Sequence, residues 1–206
     1  MMRWAVFCIL GILGSSTLWA KTFELDEAHT TIGFRIKHLM ISTVQGRFDQ
    51  FKGTIEIDDK TGALTAVHSI VQAKSINTNE PDRDKHLRSP DFFDATTKGH
   101  ETIKFISDPF TIKKGESGKM PGKLTIRGVT RPVIWDVSYG GTIKDAWGNE
   151  KAALDATLTV NRKDYDLKWN KAIEAGGVLV GDDVKIEVNG EGKEKEEPQE
   201  ETSAKK

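Results

Sequence analysis

The sequence of 206 residues contains a single cysteine, Cys8, and no excess of basic over acidic side chains. Cys8 lies in the N-terminal apolar segment, so the rest of the chain can form no disulfide and offers no thiolate nucleophile or thiolate metal ligand. With 30 basic and 31 acidic residues, the chain also lacks the positive surplus that is typical of general nucleic-acid binders. We therefore expect no nucleic-acid partner.

Long apolar runs are equally scarce, which excludes a polytopic membrane protein. The only continuous run, residues 4–13, has about ten residues and is too short for a membrane-spanning helix. Arg3 precedes it, small and polar residues follow it, and Lys21 comes after Ala20. This arrangement is typical of a secretory signal peptide cleaved after Ala20, with an uncleaved N-terminal anchor as the alternative. It predicts a periplasmic or secreted protein without stable membrane insertion after cleavage.

The C-terminal segment, residues 191–206, has no aromatic or aliphatic β-branched residue. It carries six Glu and four Lys among its residues. Such a composition cannot bury enough apolar surface to offset the entropy of ordering, so we predict a disordered charged tail. Residues 1–20 then form the signal peptide, and residues 21–190 form one folded domain.

Within that domain the dominant hydrophobic period is two. Apolar and polar residues alternate in residues 31–38, 67–73, 133–139, 152–160 and 184–188, and shorter runs are found at 54–57, 102–106, 110–113 and 122–127. Alternation of this kind predicts strands with one buried face. The only clear helical pattern covers residues 82–94. About eight or nine strands at regular spacing indicate an all-β antiparallel sandwich or closed barrel, and closure removes exposed edges.

A search for catalytic motifs in the sequence finds none. The five histidines show no i, i+4 pair, and there is no nucleophile elbow, phosphate-binding loop or dinucleotide fingerprint. His38 and His68 fall on predicted strands, where they are either metal ligands that meet in space or ordinary polar residues. The charged segment at 82–88 holds either internal ion pairs or an anionic headgroup. We therefore predict no catalytic residue, no metal and no cofactor.

The chain resembles the YceI-like family of exported proteins in a set of short segments that occur in the order expected for that family. The longest read HTTIGFRIKH at 29–38, RDKHLRSPDFFD at 83–94 and GKLTIRGVTRPV at 122–133, and shorter ones lie at 46–48, 51–53, 75–78, 103–105, 161–162 and 181–186. The resemblance covers residues 22–189. The chain departs from the family pattern at residues 99–100 and 164–169, which we expect to alter a loop and a pocket edge.

The resemblance implies a lipocalin-like antiparallel β-barrel of about eight strands with one short helical segment. It further implies a periplasmic or secreted binder or carrier of a long-chain amphiphile, a polyisoprenoid or isoprenoid quinone-type lipid, held in the apolar interior. On this hypothesis the protein is not an enzyme, and a bound lipid is its only ligand. A barrel of this size can hold one small ligand or be filled by side chains.

We assign candidate residues on that basis. The predicted apolar lining consists of Phe34, Ile36, Phe48, Phe105, Leu124, Ile126, Trp135, Val137, Leu158 and Trp169, and the headgroup candidates are Arg83, His86 and Arg88. Two alternatives stay open, a stress-related partner-binding or structural domain with a filled barrel, and an enzyme acting on a small hydrophobic substrate. A monomer and a homodimer are both compatible with the sequence.

Overall fold

The computed structural model describes residues 20–172 and 178–195. The predicted signal peptide up to residue 19, residues 173–177 and residues 196–206 of the predicted tail lie outside the described residues. In the described part, eleven strands and one α-helix follow one another along the chain. They are β1 (Ala20–Leu25), β2 (Thr31–His38), β3 (Ser42–Phe48), β4 (Phe51–Asp58), β5 (Leu64–Gln72), β6 (Ile76–Asn77), α1 (Pro81–Arg88), β7 (Thr102–Ser107), β8 (Ser117–Ile126), β9 (Val129–Lys144), β10 (Glu150–Asn161) and β11 (Val180–Glu194).

The sheet is antiparallel throughout and closes on itself. Eight strands follow in the order β1-β4-β5-β7-β8-β9-β10-β11, and pairing of β1 with β11 completes the ring. The long strand β11 pairs with β1 at residues 192–194 and with β2 at residues 180–189, and β3 and β6 extend the sheet from β2. The predicted all-β barrel of about eight strands with one helix is confirmed.

Strand β9 shows how the sequence specifies the two faces of the barrel. Trp135, Val137 and Tyr139 are buried, while Ile134 and Asp136 between or beside them are exposed. Side chains on a strand point to opposite faces in turn, so the buried set faces the interior. We call the upper end of the barrel the end where β2 ends at residue 38 and β11 begins at residue 180.

Some strand predictions were wrong. The predicted strand at 110–113 is only an isolated bridge between Ile112 and Leu64. Strands β1 and β3 were not predicted, and β3 places only Val44 and Phe48 as large apolar residues on its inner face, with Gly46 between them. A strand whose inner face is part glycine gives little hydrophobic alternation.

The boundary of the predicted tail also needs correction, because Glu191–Glu194 belongs to β11 rather than to a disordered segment. These residues pair with β1 on one side and β10 on the other. Their inner positions include Gly192, where a Cβ atom would lie 2.9 Å from the Cβ of Phe23. The strand passes too close to Phe23 for a larger residue. Composition indicated disorder because the buried positions here are glycines.

Helix α1 is shorter than the helical pattern at 82–94. It begins at Pro81, whose fixed φ suits a first helical position, and the Glu80 carboxylate accepts hydrogen bonds from the backbone N–H groups of Asp82 and Arg83. It ends before Pro90, which disfavours a helical conformation at Ser89. No helix in residues 20–172 and 178–195 combines the length and apolarity needed to cross a membrane.

Candidate functional site

The barrel interior contains a cavity of about 440 Å³. It reaches from the upper end, where Val180 lines it, down to Ile55 and Leu154. Below these the inward side chains fill the barrel, with Phe23, Leu64 and Tyr139 among the most deeply buried. The cavity is lined mainly by aliphatic and aromatic side chains from most strands of the barrel and from α1.

Eight of the ten residues predicted for the apolar lining contact this cavity. They are Phe34, Ile36, Phe48, Phe105, Leu124, Ile126, Trp135 and Trp169. Two aromatic pairs stand out among them, Phe105 with Trp135 at 5.7 Å and Phe34 with Phe48 at 5.8 Å between ring centroids. Gly46 lies opposite Phe34, and a Cβ atom there would come within 2.7 Å of its Cε1 atom. Because Gly46 has no side chain, the Phe34 ring can occupy the space beside it.

Two predicted lining residues, Val137 and Leu158, do not line the cavity. Val137 is buried one inward position below Trp135, where the side chains of the core already fill the interior. Leu158 is partly buried and packs against the same core, opposite Ile186. For Val137, the alternation of apolar residues identifies the inner face but not the depth at which the packed core gives way to open space. Depth does not explain Leu158, because Ala156 and Val160 on either side of it both line the cavity.

The three basic candidates separate in the structure. Arg83 and His86 line the cavity, whereas Arg88 does not. The Arg88 guanidinium instead donates to the backbone carbonyls of Lys74 at 2.7 Å and Ile76 at 2.8 Å, which anchors α1 to the chain before it. Its predicted headgroup role is therefore wrong in this geometry, because those two carbonyls hold its side chain away from the cavity.

Arg83 keeps part of its guanidinium available. Its Nε donates to the Thr78 hydroxyl at 2.7 Å and its Nη2 to the Thr78 carbonyl at 2.9 Å. The Asp84 carboxylate accepts from the Thr78 backbone N–H at 2.8 Å and from its hydroxyl at 2.6 Å, so Thr78 itself is fixed. Nη1 makes no hydrogen bond with any described residue. An oriented guanidinium with an unused nitrogen suits an anionic or carbonyl oxygen.

His86 belongs to an aromatic cluster at the upper end. Its ring packs edge-on against Trp169 at 4.8 Å and against Phe92 at 5.1 Å. Its Nε2 lies 2.8 Å from a carboxylate oxygen of Asp91, which fixes the orientation of the ring. Both packing and the hydrogen bond hold the imidazole beside the cavity.

Arg162 was not among the predicted site residues, but in the structure it holds the segment that bears Trp169. Arg162 is only 3% exposed, and its Nη1 donates to the carbonyls of Leu167 and Trp169, the latter at 2.8 Å. Its Nε donates to the Gly181 carbonyl at 2.8 Å. Burial lowers the pKa of this guanidinium, and Asp182 opposes the shift. The Asn161-Arg162 pair in the resemblance was the only sequence signal for it.

Apart from the imidazole of His86 with its Asp91 partner, the cavity lining offers little for acid–base chemistry. Tyr165 lines it, but burial raises the pKa of its phenol to about 12, so the group is neutral near pH 7. His38 also lines it, and no carboxylate in the described residues forms a salt bridge with it. His68 is exposed on the outer face of β5, so the two histidines do not face each other as metal ligands.

One cluster of possible metal ligands lies at the lower end, away from the cavity. Asp26, His29 and Glu191 bring three ligand atoms within 4.8 Å of one another. The ammonium group of Lys151 lies 3.0 Å from both carboxylates, and its hydrogen bond is the main cause that holds the pKa of Asp26 well below its usual value. A lysine already supplies the positive charge that these carboxylates neutralise, so the cluster is an ion-pair network.

Comparison with known proteins agrees with the fold and with the resemblance. A family model described as the YceI-like domain matches residues 23–192. A UPF0312 protein of Staphylococcus aureus is 38% identical over 170 residues, which cover 82% of this chain and 95% of that protein.

Among solved structures, a Campylobacter jejuni YceI protein is 33% identical with a TM-score of 0.66 over 84% of this chain and 97% of that one. The Burkholderia cenocepacia protein BcnA has the same TM-score at 18% identity, over 81% and 98% of the two chains. A polyisoprenoid-binding domain from Saccharophagus degradans has a TM-score of 0.61 at 14% identity, over 84% and 98%. Together with the family match, these similarities show that the chain belongs to the YceI-like family.

Proposed function

We propose that this protein binds one long-chain apolar amphiphile, a polyisoprenoid or isoprenoid quinone-type lipid, inside the barrel. The observation that carries the proposal is the 440 Å³ cavity with its aliphatic and aromatic lining. Pockets of this size with few polar groups are typical of sites for apolar ligands. The similar fold of a polyisoprenoid-binding domain supports the ligand class.

Burial of apolar surface is sufficient to account for affinity without catalytic or metal chemistry. Each buried methylene contributes roughly 0.8 kcal/mol, so about 15 methylenes contribute a gross gain of about 12 kcal/mol. Immobilising a flexible chain and losing translational freedom offset a large part of this gain. The remainder supports a binder or carrier, and no acid–base pair is needed in the cavity.

The polar end of the ligand is proposed to lie at the upper end, beside Arg83 and His86. Both contact the cavity, and the Nη1 of Arg83 makes no hydrogen bond with any described residue. A hydroxyl, carbonyl or phosphate oxygen can accept a hydrogen bond from Arg83 Nη1. Because Nε2–H of His86 donates to Asp91, its Nδ1 is left to accept a hydrogen bond from a ligand hydroxyl. The signal-peptide pattern supports a periplasmic or secreted location for this binding.

Fluorescence of the cavity tryptophans provides the test. Trp135 and Trp169 line the cavity, whereas Trp147 is exposed at the lower end. Trp4 and Trp19 belong to the predicted signal peptide, so a Trp147→Phe variant of the mature protein, without residues 1–20, reports mainly on the site. It is titrated with isoprenols of increasing length, from geraniol to solanesol. We expect Kd to fall by roughly four-fold for each added methylene that is buried, then to level off once the cavity is full.

Two outcomes would contradict the proposal. Absence of saturable binding along the whole series would favour the alternative of a partner-binding or structural domain. Equal affinity at every chain length would show that the apolar interior does not receive the chain. Turnover of a bound isoprenol during the titration, followed by chromatography, would instead support the enzyme alternative.

A further inference from the structure

The turn between β2 and β3 has an unusual backbone for its residue types. Leu39 and Met40 both have positive φ, 51° and 62°, and the Ile41 N–H donates to the His38 carbonyl at 3.2 Å. Two-residue hairpin turns with two positive φ values favour Asn-Gly or Asp-Gly, because bulky L-residues crowd their own backbone there. A leucine and a methionine are held in a conformation that suits them poorly.

Part of this turn and of the segment beside it is also exposed, although Leu39 is half-buried. Ile41 is 85% exposed and Met40 58%, and Val178 lies in the neighbouring segment with 36%. The Leu39 N–H donates to the Leu179 carbonyl at 2.9 Å, which joins the turn to that segment. We call Leu39, Met40, Ile41, Val178 and Leu179 the apolar rim. Unfavourable backbone and exposed apolar surface at one place point to a function for that surface.

The apolar rim is continuous with the cavity. His38, directly before the turn, lines the cavity, and so do Leu179 and Val180. The rim therefore lies at the upper end, where the cavity meets the surface. By contrast, the exposed Ile143 and Trp147 lie at the lower end, beside Asp145, and neither lines the cavity.

Basic and aromatic side chains flank the rim. Lys37 lines the upper end of the cavity, and the Lys171 ammonium lies 5.9 Å from the centre of the Trp169 ring. Lys171 is tied to the rim because its carbonyl accepts a hydrogen bond from the Leu179 N–H at 2.9 Å. Neither lysine forms a salt bridge with a described residue. Apolar tips bordered by lysine and tryptophan are typical of surfaces that insert shallowly into a lipid interface.

We propose that the apolar rim docks on the surface of a bilayer that contains anionic lipid, so that the cavity opens toward the membrane. Ile41 and Met40 would enter the boundary between headgroups and acyl chains, while Lys37 and Lys171 face the anionic headgroups. Asp82 lies at the same end and is the one carboxylate on the described cavity lining. Its negative charge opposes the approach of anionic headgroups. The role of docking, which is to let the lipid enter or leave the cavity, rests on the proposed function. Docking itself is measured separately from lipid binding.

The test is flotation with vesicles of phosphatidylethanolamine and phosphatidylglycerol, compared with vesicles of phosphatidylcholine alone. The double variant Leu39→Asn/Met40→Gly replaces the strained apolar turn with the residues that its backbone prefers. The matched pair Ile41→Asn and Ile143→Asn removes one equally apolar side chain from the rim or from the lower end. We expect about tenfold weaker partition for the two rim variants, no change for Ile143→Asn, and weaker partition on phosphatidylcholine.

Several results would overturn the proposal. Failure of the unsubstituted protein to float with either vesicle does so, and so does equal flotation of the rim variants and Ile143→Asn. A dimer in sedimentation velocity that the rim variants dissociate would assign the rim to a second copy instead. If isoprenol binding persists without vesicle binding, only docking fails, and if vesicle binding persists without isoprenol binding, only the proposed function fails.

Discussion

Ser69→Phe tests directly whether the barrel interior is open. Ser69 lies on β5, is half-buried and lines the cavity between Val67 and Val71, which contact the same space. Phenylalanine at this position places a ring where the proposed ligand lies. In an open cavity the ring finds room, and in a filled barrel it meets packed side chains.

The two effects change different observables, Kd in an open cavity and Tm in a filled barrel, and can therefore be separated. A ring that displaces about four methylenes of ligand costs about 3 kcal/mol of binding free energy, which is on the order of a 100-fold higher Kd. Overpacking a filled core would destabilise the fold by about 1–3 kcal/mol, or roughly 2–12 °C in Tm for a domain of this size. The open cavity predicts weaker binding without that loss of Tm.

The assay combines isoprenol titration with thermal unfolding of the ligand-free protein. Ser138→Phe is the matched control, because Ser138 is exposed on the outer face of β9 and the substitution is the same. We expect Ser138→Phe to leave Kd unchanged. A Ser69→Phe variant that unfolds several degrees lower, or that binds isoprenols as tightly as the control, would refute the reasoning.

Three further predictions follow from other contacts. Arg162→Met should lower the free energy of unfolding by about 3–5 kcal/mol in a denaturant titration, because it leaves buried carbonyls without a donor. An unchanged midpoint would contradict that role. Asp26 has a pKa below its usual 3.8, so its pairing with Lys151 stabilises the fold above about pH 4 and is lost as pH falls below that value. The Tm difference between the unsubstituted protein and Asp26→Asn should therefore shrink toward pH 2.5, and a constant difference would exclude the linkage. Leu39→Asn/Met40→Gly should raise the free energy of unfolding by about 1–2 kcal/mol, since it relieves two left-handed residues, and a decrease would show that their backbone is not strained.

Much of the barrel could be predicted from hydrophobic period alone. Apolar and polar residues alternate along β2 and along residues 133–139 of β9, and the structure confirms a strand at both places, although β9 extends over Val129–Lys144. The end of β11 could not be predicted in this way, because Gly190 and Gly192 occupy its buried positions. At Gly192 the close approach of Phe23 leaves no room for a larger side chain, and that approach depends on the tertiary structure.

The sequence allowed us to predict which residues of a strand point into the barrel, but not which of them lie at the depth of the cavity. Trp135 and Val137 are alternate residues of one strand and both face inward, yet only Trp135 contacts the cavity. The difference depends on how far the packed core extends, which involves residues distant in sequence. Arg88 shows the same limit for charge, since its carbonyl partners come from the segment before α1.

Roles that depend on exposure were invisible in the sequence. No role was predicted for Leu39, Met40 and Ile41, and only the structure shows the turn geometry and the exposure of Met40 and Ile41. Arg162 reads as one more charged residue, although its burial makes it the anchor of the Trp169 segment.

Native mass spectrometry of the protein purified from its own cell tests whether the barrel carries a long-chain lipid. We expect one discrete added mass that organic extraction recovers as a single long-chain lipid. This mass should be lost from Ser69→Phe and retained by Ser138→Phe. A protein of unmodified mass that stays unchanged after incubation with isoprenols would show that the barrel carries no such lipid.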